Sequence, residues 1–128
     1  MGKQTAPKIE LPGLDLSSNA YIVNDNTYDI STLIQYCKEK EYPVFDMPLA
    51  GILLENLPFE CENFLSFCNH VKRIENASLQ YPIIIDALGY VADGWHRIAK
   101  AIINGETTIK AVRIMKMPQP SGKTEKDE

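Results

Sequence analysis

The chain has 128 residues, of which 45% are hydrophobic and 23% charged, as is ordinary for one globular domain. Its formal net charge of -4 argues against nucleic acid as the main partner, and no apolar run approaches the roughly 20 residues that cross a bilayer. Three cysteines without a CxxC pair argue against a disulfide framework or a zinc site, and the N-terminus lacks a signal peptide's apolar region, so we expect a cytoplasmic protein.

The two ends of the chain are predicted to be flexible and to flank one folded domain. Residues 1–18 contain scattered Gly, Pro, Ser and Lys without a period. Residues 117–128 are richer still in Pro, Gly and charge, which predicts a tail. The folded domain is therefore predicted over residues 19–116.

A helix and a short strand are predicted at the start of this domain. Asp29 can cap a helix that runs to about Lys40. Residues 44–49, Val-Phe-Asp-Met-Pro-Leu, predict a strand, and Pro48 marks its end or places it at a sheet edge because proline cannot donate to the ladder. Residues 51–60 then form a connection.

A second helix is predicted from about Glu60 to Asn76. Apolar residues recur there at helical spacing and form one face, which Phe67 and Ile74 widen. The members of this face are Cys61, Phe64, Leu65, Cys68 and Val71. His70 lies at its border.

The segment from residue 82 onward has the clearest pattern. Residues 82–86, Pro-Ile-Ile-Ile-Asp, predict a buried strand, and Gly89 allows a turn into a second strand at 90–92. A helix is predicted over 95–104, and alternation over 108–114 predicts a closing strand. The order hairpin, helix, strand predicts a mixed α+β fold with a small mixed sheet.

Residues 93–101, Asp-Gly-Trp-His-Arg-Ile-Ala-Lys-Ala, place cationic groups at a predicted helix start. The first N–H groups of a helix lack internal partners and carry partial positive charge, so anions bind there. Gly94 permits close backbone approach, Arg97 brings a guanidinium fork, and His96 adds a donor or proton-transfer group. Lys100 lies one turn further along the helix. We predict a phosphate site formed by Asp93, Gly94, Trp95, His96, Arg97 and Lys100.

The same residues also permit a structural interpretation. Asp93 can be a plain helix cap, His96 a solvated surface residue, and Arg97 the partner of a nearby acid. Trp95 can stack on a base or fill the core. These alternatives stay open at the level of sequence.

Residues 82–114 resemble the ParB/sulfiredoxin-like superfamily. The likeness is carried by Pro-Ile-Ile-Ile-Asp, a turn glycine, Asp-Gly-Trp-His-Arg-Ile-Ala-Lys-Ala, then Asn-Gly and a final strand. It extends back to about residue 43 through the order of strand, helix and strand, and does not include residues 1–40. Small bacterial ParB-domain proteins look most similar, and they imply no defined reaction.

The resemblance implies a nucleotide ligand, with ATP or CTP as candidates and Mg²⁺ alongside. ParB proteins hold a nucleoside triphosphate at an Arg-containing box, sulfiredoxins bind phosphate at Gly-Cys-His-Arg, and related free-serine kinases place a nucleotide in a similar pocket. Trp95 stands where sulfiredoxins have their reactive cysteine, so sulfinic acid repair is not expected. The further domains of a true ParB do not fit in this chain, so chromosome partitioning by it alone is not expected.

Several further residues are candidates for chemistry. The related serine kinases use a carboxylate base, which makes Asp46, Glu55, Glu60 and Asp93 candidates that spacing does not separate. His70 either points toward the same pocket or is a boundary residue of its helix.

Two other pairs of charged residues have functional and structural interpretations. Asp86 and Asp93 flank the predicted hairpin, where they either hold a divalent metal beside phosphate or act as turn and cap residues. A solvated helix face accounts for Lys72 and Arg73.

Three functions are compatible with these residues. A nucleotide- or phosphate-binding accessory or switch protein needs only the cationic helix start. A small phosphotransferase or nucleotide hydrolase needs Mg²⁺ and one of the carboxylates as well. A nuclease or DNA-associated protein is disfavoured by the acidic balance.

Overall fold

The computed structural model describes residues 6–11 and 20–123 and has the predicted mixed α+β architecture. The strands are β1 (Ala20–Val23), β2 (Asn26–Asp29), β3 (Phe45–Pro48), β4 (Ile83–Ile85), β5 (Val91–Asp93), β6 (Thr108–Arg113) and β7 (Gly122–Lys123). The helices are α1 (Ile30–Glu39), α2 (Phe64–Asn76) and α3 (Trp95–Ile103), with a 3-10 turn at Leu49–Gly51. No helix within the described ranges is long and apolar enough to cross a bilayer.

The strands form two sheets, and the larger one contains the predicted hairpin, helix and closing strand. A three-stranded sheet has the order β1-β2-β7, and a four-stranded sheet has the order β3-β6-β4-β5. In the larger sheet β4 pairs antiparallel with β5 and parallel with β6. α3 makes the crossover that two adjacent parallel strands require. β3 lies at the edge and ends at Pro48, as predicted.

β4 is buried on both faces and separates two parts of the core. Ile83 and Ile85 belong to the cluster that includes Ile98 of α3. Ile84 belongs to the opposite cluster, which includes Leu33 of α1. Because alternate strand residues point to opposite faces, α3 and α1 cover the two sides of the larger sheet. The Ile-rich run of β4 therefore fits a strand covered on both sides, as predicted.

Asp86 shapes the turn between β4 and β5 and is only 1% exposed. Its Oδ1 accepts the N–H groups of Leu88 and Tyr90 at 2.9 and 2.8 Å, and its Oδ2 accepts the Tyr21 hydroxyl at 2.5 Å. Gly89 occupies the turn with a φ of 99°. Asp86 therefore acts as a turn residue, as one of its two interpretations predicts, and its bond to Tyr21 ties the smaller sheet to the larger one.

The smaller sheet is not indicated by the sequence pattern, and it reaches into the predicted tail. Asn24 and Asp25 take positive φ between β1 and β2, a conformation that these two residue types tolerate. β7 pairs with β2, and the Ser121 N–H donates to the Thr27 carbonyl at 2.8 Å. Regular structure thus continues past the predicted domain end at residue 116. The predicted flexibility of residues 1–18 falls largely outside the described residues.

α2 differs from its prediction in both its start and its orientation. It begins at Phe64, capped by the Asn63 side chain, so Cys61 lies before the helix rather than on its apolar face. Phe64 is 75% exposed and Phe67 is 51% exposed, whereas Asn69 is buried. The apolar face therefore does not enter the core, because the polar side of the helix faces α3 and the cleft between them.

Candidate functional site

An open cleft of about 660 Å³ is lined by α2, β5, the start of α3 and the segment before α2. It contains five of the six residues of the predicted phosphate site, namely Asp93, Gly94, Trp95, His96 and Arg97. Phe59, Glu60, His70, Arg73 and Tyr81 also line it. Residues that are distant in the sequence, from the region around α2 and from the continuous segment of β5 and α3, thus converge on the first turn of α3.

Gly94 sets the position of the α3 start. It has a φ of 119°, in the left-handed region that favours glycine. A Cβ atom at this position would lie 2.4 Å from Ile83 Cγ2, so only glycine lets the helix start approach β4 this closely. Trp95, the first helical residue, packs against the core and also borders the cleft. The first N–H groups of α3 therefore start from a fixed position at the cleft wall.

Arg97 is held at the cleft by an acid of the preceding strand. Its Nη2 donates to Oδ2 of Asp93 at 2.8 Å, the only ion pair in the described part of the chain. Its Nη1 donates to the Tyr81 carbonyl at 3.4 Å. The structural interpretation of Arg97 as the partner of a nearby acid is thus correct, and it does not remove the residue from the cleft, because the pair itself lines the wall.

Arg73 is a second guanidinium at the cleft, on α2 opposite the α3 start. Within residues 6–11 and 20–123 it has no carboxylate within 4.0 Å. It is partly buried, and burial lowers its pKa while the charge of Asp93 acts in the opposite direction. Arg73 therefore lines the cleft, whereas Lys72 lies on an exposed helix face as predicted. An arginine without an acid partner beside a cleft is available to an anionic ligand.

His70 and His96 form a direct pair across the cleft. His70 Nδ1 and His96 Nε2 are 2.9 Å apart, and the two ring planes differ by 11°. The ring centroids are 5.2 Å apart, which places the rings side by side in a common plane rather than face to face. Phe59 lies over both, at 4.4 Å from the His96 ring and 4.7 Å from the His70 ring. His70 therefore points into the cleft, and His96 is not a solvated surface residue.

The electrostatic surroundings of His96 disfavour a positive charge on its ring. Burial lowers the pKa of His96 to about 4, and the positive charges of Arg73 and Arg97 act in the same direction. His96 is therefore neutral at physiological pH. Its neutral ring has one nitrogen that donates and one that accepts a hydrogen bond.

Lys100 does not belong to the cleft, although it is predicted to bind phosphate. Its Nζ donates to the carbonyls of Glu75 and Ala77 at 2.9 and 2.6 Å. These carbonyls end α2, where helix carbonyls lack internal partners and a cation is favourable. Lys100 thus fixes the end of α2 against α3, which holds Arg73 and His70 in place from a distance.

The candidate acids divide between the cleft and other surfaces. Glu60 and Asp93 line the cleft, whereas Glu55 borders a different cavity and Asp46 lies on the edge strand β3. No group of three or more His, Cys, Asp or Glu that could hold a metal ion occurs among the described residues.

Comparison with known proteins gives no relative for this cleft. No family model, curated protein or solved structure matches the chain. The resemblance of residues 82–114 to the ParB/sulfiredoxin-like superfamily therefore stays a prediction, and the function has to be argued from the cleft itself.

Sequence reasoning misses Arg73 and Phe59 as cleft residues. Arg73 follows His70 by three positions on α2, so the two lie on one helix face, and placing His70 at the pocket predicts the same location for Arg73. Phe59 belongs to an irregular segment, where no periodicity indicates which way a side chain points. Its stacking on two histidines depends on tertiary contacts alone.

Proposed function

We propose that the cleft binds the phosphate groups of a nucleotide, with ATP and CTP as the first candidates, and that the protein acts as an accessory or switch module. The observation that carries this proposal is the convergence of Arg73 and Arg97, from different helices, on the start of α3. Guanidinium groups and helix N-termini are two of the common ways in which proteins hold phosphate oxygens. Here both occur in one cleft.

The size and charge of the cleft support a nucleotide that arrives with Mg²⁺. A cleft of about 660 Å³ is in the usual range for small-ligand sites. Its lining contains two arginines and two acids, Glu60 and Asp93, so it is not strongly cationic. Magnesium usually binds through phosphate oxygens and one or two carboxylates, and it reduces the charge of the nucleotide. Both acids are then compatible with a polyphosphate ligand.

The chain topology adds support of a second kind. The order of hairpin, crossover helix and parallel strand over β4, β5, α3 and β6 is the order that the ParB/sulfiredoxin-like resemblance implies. In that superfamily the nucleotide lies at the helix that follows the hairpin. We therefore include membership of the superfamily in the proposal.

Arg73→Gln is expected to weaken nucleotide binding about tenfold or more, because hydrogen bonds to charged groups contribute about 1.5 to 3 kcal/mol. The substitution breaks no ion pair in the described structure, so the fold should be retained. The measurement is the melting temperature with ATP, ADP, CTP or GTP and Mg²⁺. A ligand at 100 times its dissociation constant stabilises the native state by about 2.7 kcal/mol, which raises the melting temperature by several degrees.

Lys72→Gln is the matched control, since Lys72 is the exposed neighbour of Arg73 on α2 and does not line the cleft. It removes the same charge and should leave the nucleotide-induced shift intact. Equal loss of the shift in both variants would mean that net charge, rather than the Arg73 guanidinium, drives binding. No shift in the wild type for any of the four nucleotides would contradict the proposal.

A small phosphotransferase or nucleotide hydrolase is the second candidate, and the position of Glu60 in the cleft favours it. Such a reaction needs a base near the terminal phosphate, and Glu60, Asp93 and His70 are the earlier candidates that line the cleft. Phosphate release in the same nucleotide samples tests this function. Turnover that is lost in Glu60→Gln while the nucleotide-induced melting shift persists would establish the enzymatic function. Absence of turnover in the wild type would leave nucleotide binding without catalysis as the function.

A further inference from the structure

The His70–His96 pair has a hydrogen-bonding property that neither histidine has alone. In the neutral pair one proton lies between His70 Nδ1 and His96 Nε2, and either ring can be the donor. If His70 donates, its outer Nε2 is a bare acceptor and His96 Nδ1 carries a proton. If His96 donates, these two outer roles are exchanged. The neutral pair therefore always offers one outward donor and one outward acceptor.

One additional proton changes this pattern without breaking the pair. In the singly protonated pair one ring carries both protons and donates to the other, and both outer nitrogens become N–H donors. Within the described chain the outer nitrogens have no hydrogen-bond partner and are not buried. Both rings line the cleft, and Phe59 covers one side of the bond between them. The two outer N–H groups point away from each other along the plane of the rings, so a phosphate accepts a hydrogen bond from one of them and interacts with the charge that the pair shares.

We propose that the His70–His96 pair is part of the ligand site and binds a phosphate group as a singly protonated dyad, taking up one proton from solvent as the phosphate enters. This inference rests on the proposed function, because it concerns the same cleft and the same class of ligand. It adds one charged donor, from α2 or from α3, to the arginines already described.

The charged groups around the pair decide when the proton is taken up. Burial opposes protonation of His96, and so do the charges of Arg73 on α2 and Arg97 on α3. Asp93 on β5 is already bonded to Arg97, and Glu60 precedes α2 at the cleft wall. A phosphate that binds both arginines offsets their charge and adds negative charge beside the rings. The pKa of the dyad therefore increases on binding.

The sign of the pH dependence follows from that increase. The contribution of the dyad to affinity is present below the pKa that it has in the complex. It is lost as the pH rises through that value. Between the pKa of the free pair and that of the complex, affinity is expected to change by up to tenfold per pH unit relative to a protein without the dyad.

Histidine NMR tests this directly, because His70 and His96 are the two histidines of the chain. Imidazole ¹⁵N shifts would be recorded from pH 4 to 8, with and without inorganic tripolyphosphate as the probe. We expect His96 to show the neutral pattern in the free protein near pH 6.5, and the pair to become more protonated after addition of tripolyphosphate. The titration midpoint should rise by about one pH unit or more, as an opposite charge nearby produces.

His70→Phe is the control variant, because it keeps an aromatic ring at the Phe59 contact and removes the shared proton. Its tripolyphosphate affinity, measured by calorimetry, should lose the extra pH dependence of the wild type, including the proton uptake. Binding to the wild type with unchanged histidine shifts would overturn the dyad and leave the proposed function standing. Absence of tripolyphosphate binding would overturn both.

Discussion

Gly94→Ala is expected to lower the free energy of unfolding by about 3 to 5 kcal/mol, since a strained φ and an overpacked contact each contribute about 1 to 3 kcal/mol. The added Cβ would lie 2.4 Å from Cγ2 and 2.7 Å from Cβ of Ile83, a fully buried residue of β4. The φ of 119° adds the second cost. Thermal unfolding should show a decrease of about 10 °C or more.

Gly105→Ala separates the two contributions. Gly105 also has a positive φ, of 77°, but a Cβ there would meet nothing within 4 Å. Only the conformational cost remains, about 1 kcal/mol. Equal losses in the two variants would show that α3 does not press against β4 at Gly94. The start of α3 forms part of the cleft wall, so the position of the site depends on the close contact that the difference between the two variants measures.

Asp86→Ala should lower the free energy of unfolding by about 3 to 5 kcal/mol, because it leaves three donors without their buried carboxylate. The N–H groups of Leu88 and Tyr90 and the hydroxyl of Tyr21 all donate to this side chain. The turn between β4 and β5 and the tie to the smaller sheet are lost together. Chemical denaturation followed by circular dichroism measures the change.

A double-mutant cycle with Tyr21→Phe isolates the tie between the sheets. Tyr21→Phe alone should destabilise the protein, but it should have little further effect once Asp86 is alanine. Additive losses would contradict the hydrogen bond. Burial, followed by the bond to Asp86, raises the pKa of Tyr21 above its usual value of 10.0. The associated stability is therefore complete below pH 10 and is lost as the pH rises through the higher folded-state value.

The fold was largely predictable wherever the signal is local. Three predicted features depend only on residues close together in the sequence, and the structure confirms them. They are the Ile run of β4, the turn at Gly89 and the apolar period of α3. The smaller sheet was not predictable, because β7 reaches β2 across about 95 residues of chain and only two residues pair. The predicted orientation of α2 was wrong. Lys100 and the cleft, rather than the apolar residues of α2, determine which side of this helix faces inward.

The site was predictable to the extent that it lies on one continuous segment. Residues 93–97 reach the cleft because a helix start and a glycine are visible in the sequence. Arg73 was assigned to a solvated face, since its role depends on how two helices meet. Lys100 has the right spacing for the site, one turn from Arg97, but its long side chain reaches the α2 carbonyls instead. Spacing along a helix predicts on which face a side chain lies, but it does not predict which group the side chain binds.

The most direct test of the central claim is to locate the bound phosphate by amide NMR. Spectra of the ¹⁵N-labelled protein would be followed while ATP or CTP with Mg²⁺ is added. We predict that the largest shifts occur at the amides of Gly94–Arg97 and at the Arg73 side chain. No shift at millimolar nucleotide, or shifts concentrated at Ile34, Cys37 and Tyr42 in the cavity between α1 and β4, would contradict a phosphate site at the start of α3.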